Sequence, residues 1–315
     1  MNKIITVVGS VIYDFRVTAE RIPKPGETLK GWGFGTCGGG KGANQAVEAS
    51  LLSQGAGAET YLVANIGADS YGEEILKAYA ASGLNSQYVF VDPAATTSVC
   101  LIHVGKNGEN SIITDEAANK RLSAAHIEKA RGILEKTSVL LIQNEVPCEA
   151  SGRAIDIVKN AGGVIIFNPA PASPFPGEWY GKVDYLTPNE SEAQYCSGVA
   201  INGGSLDELL PQARAAARAM IGKGAPNVIV TLGRHGSLHA TKNGDEFFPA
   251  YTVDAVDTTA AGDAFNGALA VRLGEGADVR DAIKFANAAG ALCASKAGSQ
   301  PSLPNRAAVD GFMKS

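Results

Sequence analysis

The sequence is short of the features that mark several large classes of protein. Charge is sparse: 19% of its 315 residues are Asp, Glu, Lys or Arg, and the formal net charge is −5. Without a basic excess there is no electrostatic footprint for a polyanion, which excludes nucleic acid as the main partner. No run approaches the ~20 apolar residues of a bilayer span. The opening "MNKIITVVGSVIYD" is too polar for a signal peptide. Cysteine is scarce too. Cys37, Cys100, Cys148, Cys196 and Cys293 are odd in number, far apart and without a C-x-x-C pair, which removes both a disulfide framework and a zinc spacing. Repeats, low-complexity tracts and linkers are missing as well. The expectation is a soluble, cytoplasmic protein without a membrane partner.

What is present is an apolar content of 45% distributed in a regular order. "KIITVVG", "TYLVANIG", "SVLLIQ", "GGVIIFN", "VDYLTPN" and "NVIVTLG" are short apolar runs bounded by Gly, Asn or Pro, and they predict buried strands. Between them, "ANQAVEASLLSQ", "GEEILKAYAASG", "SAAHIEKARGILEK", "ASGRAIDIVKNAG" and "LDELLPQARAAARAMIGKG" carry helical periodicity. Alternation at this spacing implies an α/β fold, a mostly parallel sheet covered by helices on both faces. Ligands of such sheets sit at the carboxyl ends of the strands. The last third turns helical in "GDAFNGALAVRL", "DVRDAIKFANAAGALCASKAG" and "NRAAVDGFM".

Two stretches break the alternation, at about 12–36 and 88–114. Both predict strands that could pair into a small second sheet, a β lid over the site that excludes water. One domain, 1–315, with these two insertions is the simplest organisation.

"GFGTCGGGKGANQA" fits two phosphate-binding patterns at once. Gly33, Gly35 and Gly38 spell G-x-G-x-x-G, and Gly35 to Lys41 spells the first seven positions of G-x-x-x-x-G-K-[ST]. Neither has its context. Gly42 stands where a P-loop needs a hydroxyl for magnesium, and the first strand ends near Gly9, far ahead of Gly33. A dinucleotide-dependent oxidoreductase is therefore set aside. What remains is a glycine cluster, Gly38 to Gly42, that opens a helix and lets a small ligand approach the backbone. "VDTTAAGDAFNGAL" says more. Small residues lead into a helix whose first turn exposes N–H groups to an anion, and Asp263 stands at that start. Asp in such a place is most often a helix N-cap. Beside an anion-binding terminus it is also what phosphoryl transfer needs, a carboxylate that takes the proton of the attacking hydroxyl.

Together, "GGGKGANQA" and "DTTAAGDAFNGAL" resemble the paired signatures of the ribokinase-type sugar kinases, the phosphofructokinase-B family. "PKPGET", "QNEVP", "NPAP", "TPNESEA", "TLGRHG" and "GSQPSLP" follow in the family's order, so the likeness spans nearly the whole chain. It implies a ribokinase-like fold and transfer of the γ-phosphate of ATP to a primary hydroxyl of a sugar, with magnesium. Asp263 would be the base, and Gly262, Ala261 and Ala260 the anion hole. The sugar would lie among Asp14, Gly39, Gly40, Lys41, Gly42, Asn44 and Glu145. Asn189, Thr231, Gly233, Gly236, Gly262 and Asn287 would hold the nucleotide, with Asn189 and Glu192 orienting magnesium through water. An activating potassium ion would be carried by Asp257, Thr259, the carbonyls of Cys293, Lys296 and Gly298, and Ser302. His235 and His239 are four apart around a turn or strand and make a poor metal pair. The resemblance also implies a homodimer.

One position departs from the pattern. Ribose-specific members read G-S-x-N-x-D after the first strand, and this chain reads "GSVIYD", with Ile12 in place of the Asn. Ribose is the first expectation because the other sugar positions fit; 2-deoxyribose is the alternative that Ile12 suggests. A non-catalytic sugar-binding sensor is the alternative of another class, against which the intact "DTTAAGD" speaks.

Overall fold

The structure, a computed structural model, describes residues 3–55 and 57–314; Met1, Asn2, Ala56 and Ser315 lie outside the described residues. Thirteen strands form two sheets among these residues. The large one has the order β13-β12-β11-β10-β9-β8-β1-β4-β5. Its members are β1 (Lys3–Val8), β4 (Ala58–Gly67), β5 (Asn85–Asp92), β8 (Val139–Ile142), β9 (Val164–Phe167), β10 (Tyr185–Leu186), β11 (Val228–Thr231), β12 (Gly236–Thr241) and β13 (Gly244–Pro249). The first seven run parallel; β12 and β13 continue antiparallel from β11 as a hairpin. The six apolar runs picked out in the sequence are all strands of this sheet.

Side chains of the central strands alternate between two cores, which is why those strands read as unbroken apolar runs. Leu141 and Ile166 enter one core, and their neighbours Leu140, Ile142, Ile165 and Phe167 enter the other. The first core is closed by α1 (Lys41–Ser53), α2 (Ser70–Ser82), α9 (Ala261–Gly274), α10 (Val279–Ala294) and α11 (Arg306–Phe312). The second is closed by α3 (Ala124–Lys129), α4 (Arg131–Leu134), α5 (Cys148–Asn160), α6 (Trp179–Lys182), α7 (Glu190–Ser197) and α8 (Leu206–Gly222).

The small sheet has the order β3-β2-β6-β7, with β2 (Ile12–Ala19), β3 (Gly31–Gly39), β6 (Val99–Gly105) and β7 (Asn110–Asp115). The second strand-rich stretch is thus divided, which corrects its reading as one insertion. Tyr88 to Asp92 belong to β5, paired parallel with β4 in the large sheet, and only β6 and β7 join the small one. The physical reason is that β5 is an edge strand. One flank meets solvent, so most of its side chains are only half-buried and Val91 is exposed, unlike those of the central strands.

Strand order reverses at β1, which has β4 on one side and β8 on the other. Chains leaving the carboxyl ends of β1 and β8 therefore part in opposite directions and leave a crevice between them. A close helix contact sets its floor. A Cβ on Gly267 of α9 would lie 2.8 Å from Glu48 Cβ and 2.9 Å from the Gln45 carbonyl of α1. Only glycine admits that approach, and it carries the first turn of α1 to the first turn of α9.

Candidate active site

The crevice opens as a cleft of about 410 Å³ between the large sheet and the small one. Its walls are chain segments that follow strand ends: Ile12 and Asp14 beyond β1, Glu145 beyond β8, Asn168 beyond β9, Thr187 and Asn189 beyond β10, and Thr231 closing β11. Gly40, Lys41 and Asn44 contribute from the start of α1, and Thr258 to Ala260, Gly262 and Asp263 from the start of α9.

Asp263 is buried at the third position of α9, whose N-cap is Ala260 with φ 61°. It makes no cap, so the commoner role for an Asp in this place is absent. Its two oxygens instead accept hydrogen bonds from Asn44 Nδ2 at 3.0 Å and Gln45 Nε2 at 3.1 Å. Gln45 is itself fixed: Nε2 also reaches Asn168 Oδ1 at 3.1 Å, and Oε1 accepts from Gln143 Nε2 at 2.7 Å. Two amides thus hold the carboxylate in one orientation without adding a charge.

Of the amides expected to bind an anion, that of Ala261 donates to the Thr258 carbonyl at 3.2 Å. Those of Ala260 and Gly262 have no acceptor among the described residues, nor has that of Asp263. The helix terminus therefore offers a free N–H set of Ala260, Gly262 and Asp263, two of the three expected amides plus that of Asp263. Gly262 faces open space, for a Cβ there would meet nothing within 4 Å.

Gly39, Gly40 and Gly42 work differently from the expectation. A Cβ on Gly39 would lie 2.2 Å from Asp14 Oδ2, and one on Gly42 would lie 2.4 Å from the Ser10 amide. These residues admit the protein's own chain, and of the cluster only Gly40 and Lys41 line the cleft. Glu145 Oε2 accepts from Ser10 Oγ and from the Lys41 amide, the latter at 2.9 Å. Burial pushes the Glu145 carboxyl above its ordinary range, with Lys41 pulling the other way. Burial pulls the Lys41 ammonium down, but Asp263, Glu145 and Glu192 outweigh it and hold the amine above its usual value. Asp14 is pushed up to about 6, first by burial and then by Glu145 and Asp263, against a hydrogen bond from Ser299.

The residues expected at a nucleotide are split. Asn189 and Thr231 line the cleft. Gly233, Gly236 and Asn287 lie outside its lining, at the foot of the β12–β13 hairpin. Asn287 Oδ1 accepts from Ser237 Oγ at 3.1 Å, and Gly236, at φ 119°, would place a Cβ 2.0 Å from the Phe248 carbonyl. N-x-x-E folds as a capping box on α7, with Glu192 Oε2 accepting from the Asn189 amide at 2.9 Å. Glu192 is buried, and burial raises its carboxyl. No group of three His, Cys, Asp or Glu could hold a metal among the described residues. Asn189 and Glu192, one amide and one carboxylate at the cleft, fit an ion which keeps its water shell and takes few protein ligands, as magnesium does.

The residues expected to carry potassium are neighbours in the structure. Asp257 Oδ1 accepts from Thr259 Oγ1 at 2.6 Å, and Asp257 Oδ2 accepts from the Gly298 amide at 3.1 Å. The Lys296 amide donates to the Cys293 carbonyl at 3.1 Å, and Cys293 Sγ lies 3.0 Å from Ser302 Oγ. Carbonyl and carboxylate oxygens predominate in this set, so it fits a hard cation. His235 and His239 do not converge: their Nε2 atoms lie beside the Gly204 carbonyl and Asn227 Oδ1 respectively.

A carboxylate fixed beside free helix N–H groups, facing further carboxylates across a cleft, is the apparatus of phosphoryl transfer to a hydroxyl. The chain belongs to the pfkB family of carbohydrate kinases, whose pattern it matches over residues 2–306. It is 35% identical over 314 residues to ribokinase of Haemophilus influenzae, covering 100% of this chain and 99% of that one. It is 35% identical over 302 residues to deoxyribokinase of Salmonella typhi, covering 96% and 95%. The structure of Arabidopsis thaliana ribokinase complexed with ribose and ATP superposes with a TM-score of 0.89 at 31% identity, covering 100% of this chain and 99% of that one.

Sequence reading missed Gln45, Asn168 and Ser299. Gln45 and Asn168 stand inside the quoted "GGGKGANQA" and "NPAP", so position after a strand or in a first helical turn was the usable signal. Ser299 stands inside the quoted "GSQPSLP", but nothing local pointed to its partner Asp14, 285 positions away.

Proposed function

We propose that the chain transfers the γ-phosphoryl group of ATP to the primary hydroxyl of a pentose, with D-ribose giving D-ribose 5-phosphate as the first substrate and 2-deoxyribose as the second. The observation that carries this reading is the fixed Asp263 carboxylate, set beside unpartnered α9 amides and within one cleft with Asp14 and Glu145. Asp14, Asn44 and Glu145 would meet sugar hydroxyls as acceptors and donors. Asp263 would take the proton of the attacking hydroxyl, and the amides of Ala260 and Gly262 would hold charge on the moving phosphoryl group. Magnesium, when bound, would neutralise phosphate charge, its water shell held by Asn189 and Glu192. A coupled assay for ADP formation tests the reading: turnover of ribose or 2-deoxyribose is expected, and turnover of neither would discard it.

The loop from Asp257 to Gly262 ends in the anion-binding turn, so a potassium ion on Asp257, Thr259, Cys293, Lys296, Gly298 and Ser302 would order that turn. Faster turnover in potassium than in sodium chloride is expected; equal rates would remove the ion from the account. The small sheet would act as a lid on a single domain, 1–315. It exposes Trp32 (50%), Phe34 (69%) and Ile113 (64%) and leaves the edges of β3 and β7 open. Edges of this kind are ordinarily covered, and pairing of two lids in a homodimer would cover them. Light scattering at the monomer mass would contradict that assembly. All five cysteines are free thiols, which suits the reducing cytoplasm.

A further inference from the structure

A buried hydroxyl fastens the small sheet to the carboxyl-terminal loop. Ser299 is 3% exposed and directly precedes the 3-10 turn Gln300–Ser302. Its Oγ lies 3.0 Å from Asp14 Oδ2, 3.0 Å from the Gly38 carbonyl and 3.2 Å from Cys37 Sγ. A serine hydroxyl has one hydrogen to give and two lone pairs to offer. The Cys37 thiol can fill an acceptor place by donating to it. The single hydrogen must then go either to a carboxylate or to a neutral carbonyl at the same distance. An ionised acceptor makes the stronger bond, so charged Asp14 holds it. Gly39 bars the opposite movement, since its backbone leaves no room for even a Cβ beside the Asp14 oxygens. Arg16, on the same strand as Asp14, reaches Asp257 at 3.7 Å and fastens the sheet to the same region a second time.

We propose that Ser299 is a positioning residue for the sugar-binding carboxylate, holding Asp14 ionised and in one orientation so that the incoming sugar meets an acceptor. The proposal rests on the reading of Asp14 as a sugar ligand. Asp14 has Cys37 of β3 and Cys100 of β6 directly across from it, with Arg16 further along β2. Glu145 beyond β8 and Asp263 of α9 face it from below, and Lys41 of α1 counters those two. Burial, Glu145 and Asp263 hold its carboxyl up to about 6, and the Ser299 hydroxyl is the contact that pulls it down. As pH falls through that value, Asp14 takes a proton, the serine hydrogen turns to Gly38, and the sugar loses its acceptor. Without the hydroxyl, Asp14 takes its proton at higher pH.

The test is Ser299→Ala in the full chain, with kcat and both KM values followed across the acid limb. We expect sugar KM to rise roughly tenfold, ATP KM and kcat to stay near the parent, and the limb of kcat/KM for sugar to move up by roughly one pH unit. Ser299→Thr keeps the hydroxyl and should leave the limb in place. In an Asp14→Asn background, Ser299→Ala should move the limb no further, the mark of two coupled groups. The proposal is overturned if Ala and Thr displace the limb equally, if the limb stays while kcat and both KM values change together, or if the Ala effect persists in full without the carboxylate. Asp14→Asn that leaves sugar KM unchanged would sink the reading of Asp14 itself.

Discussion

Asp263→Asn is expected to lose turnover by about 10²- to 10⁴-fold, the usual range for a missing general base, while sugar and nucleotide still bind. The amide has nearly the shape of the carboxylate but cannot take a proton from a hydroxyl. Its own NH₂ must face either Asn44 or Gln45, both of which now donate to the carboxylate. One of those two bonds is therefore lost, for a stability change on the order of 1 kcal/mol. Melting temperature, sugar KM and kcat measured on one preparation separate the two effects. A folded variant turning over at the parental speed would end the assignment of Asp263 as the base.

Ile12→Asn should produce the second largest change, in selectivity between sugars. Ile12 lines the cleft, two positions before Asp14 on the same face of β2, and its side chain can neither accept nor donate. A sugar hydroxyl pressed against it would lose a buried hydrogen bond at about 1–3 kcal/mol. Supplying an amide should raise the ratio of kcat/KM for ribose over 2-deoxyribose on the order of ten- to a hundredfold. An unchanged ratio would mean that this side chain does not meet the distinguishing hydroxyl.

Much of the architecture could be read in advance because buried parallel strands leave a plain mark. The runs of β8, β9 and β11 are apolar on both faces, and each ends at a polar residue, Gln143, Asn168 or Thr231, that enters the cleft or its neighbourhood. The β12–β13 hairpin escaped notice although Asn243 and Gly244 sit at its turn between alternating segments, a known hairpin signal. Edge strand β5 was misread because partial exposure copies the pattern of an antiparallel strand. In the site, Asp263, Asn44 and Asp14 could be named, but not the way they are held. Gln45 bonds a residue 218 positions later, and no local pattern encodes such a distance. The glycine cluster was legible as a place of close approach. That the approaching atoms are the chain's own Ser10 and Asp14 was not.

Cys293 has a use that none of the chemistry above requires. Its thiol is fully enclosed behind the Asp257–Gly262 loop, beside the Thr259 carbonyl and the Ser302 hydroxyl, and burial pushes it up to about 12. A probe such as an aryl disulfide attacks only a thiolate it can touch. Labelling at this position can therefore proceed only when the end of α10 parts from its neighbours. Its rate would serve as a clock for that local breathing, read in the intact enzyme without adding any reporter group.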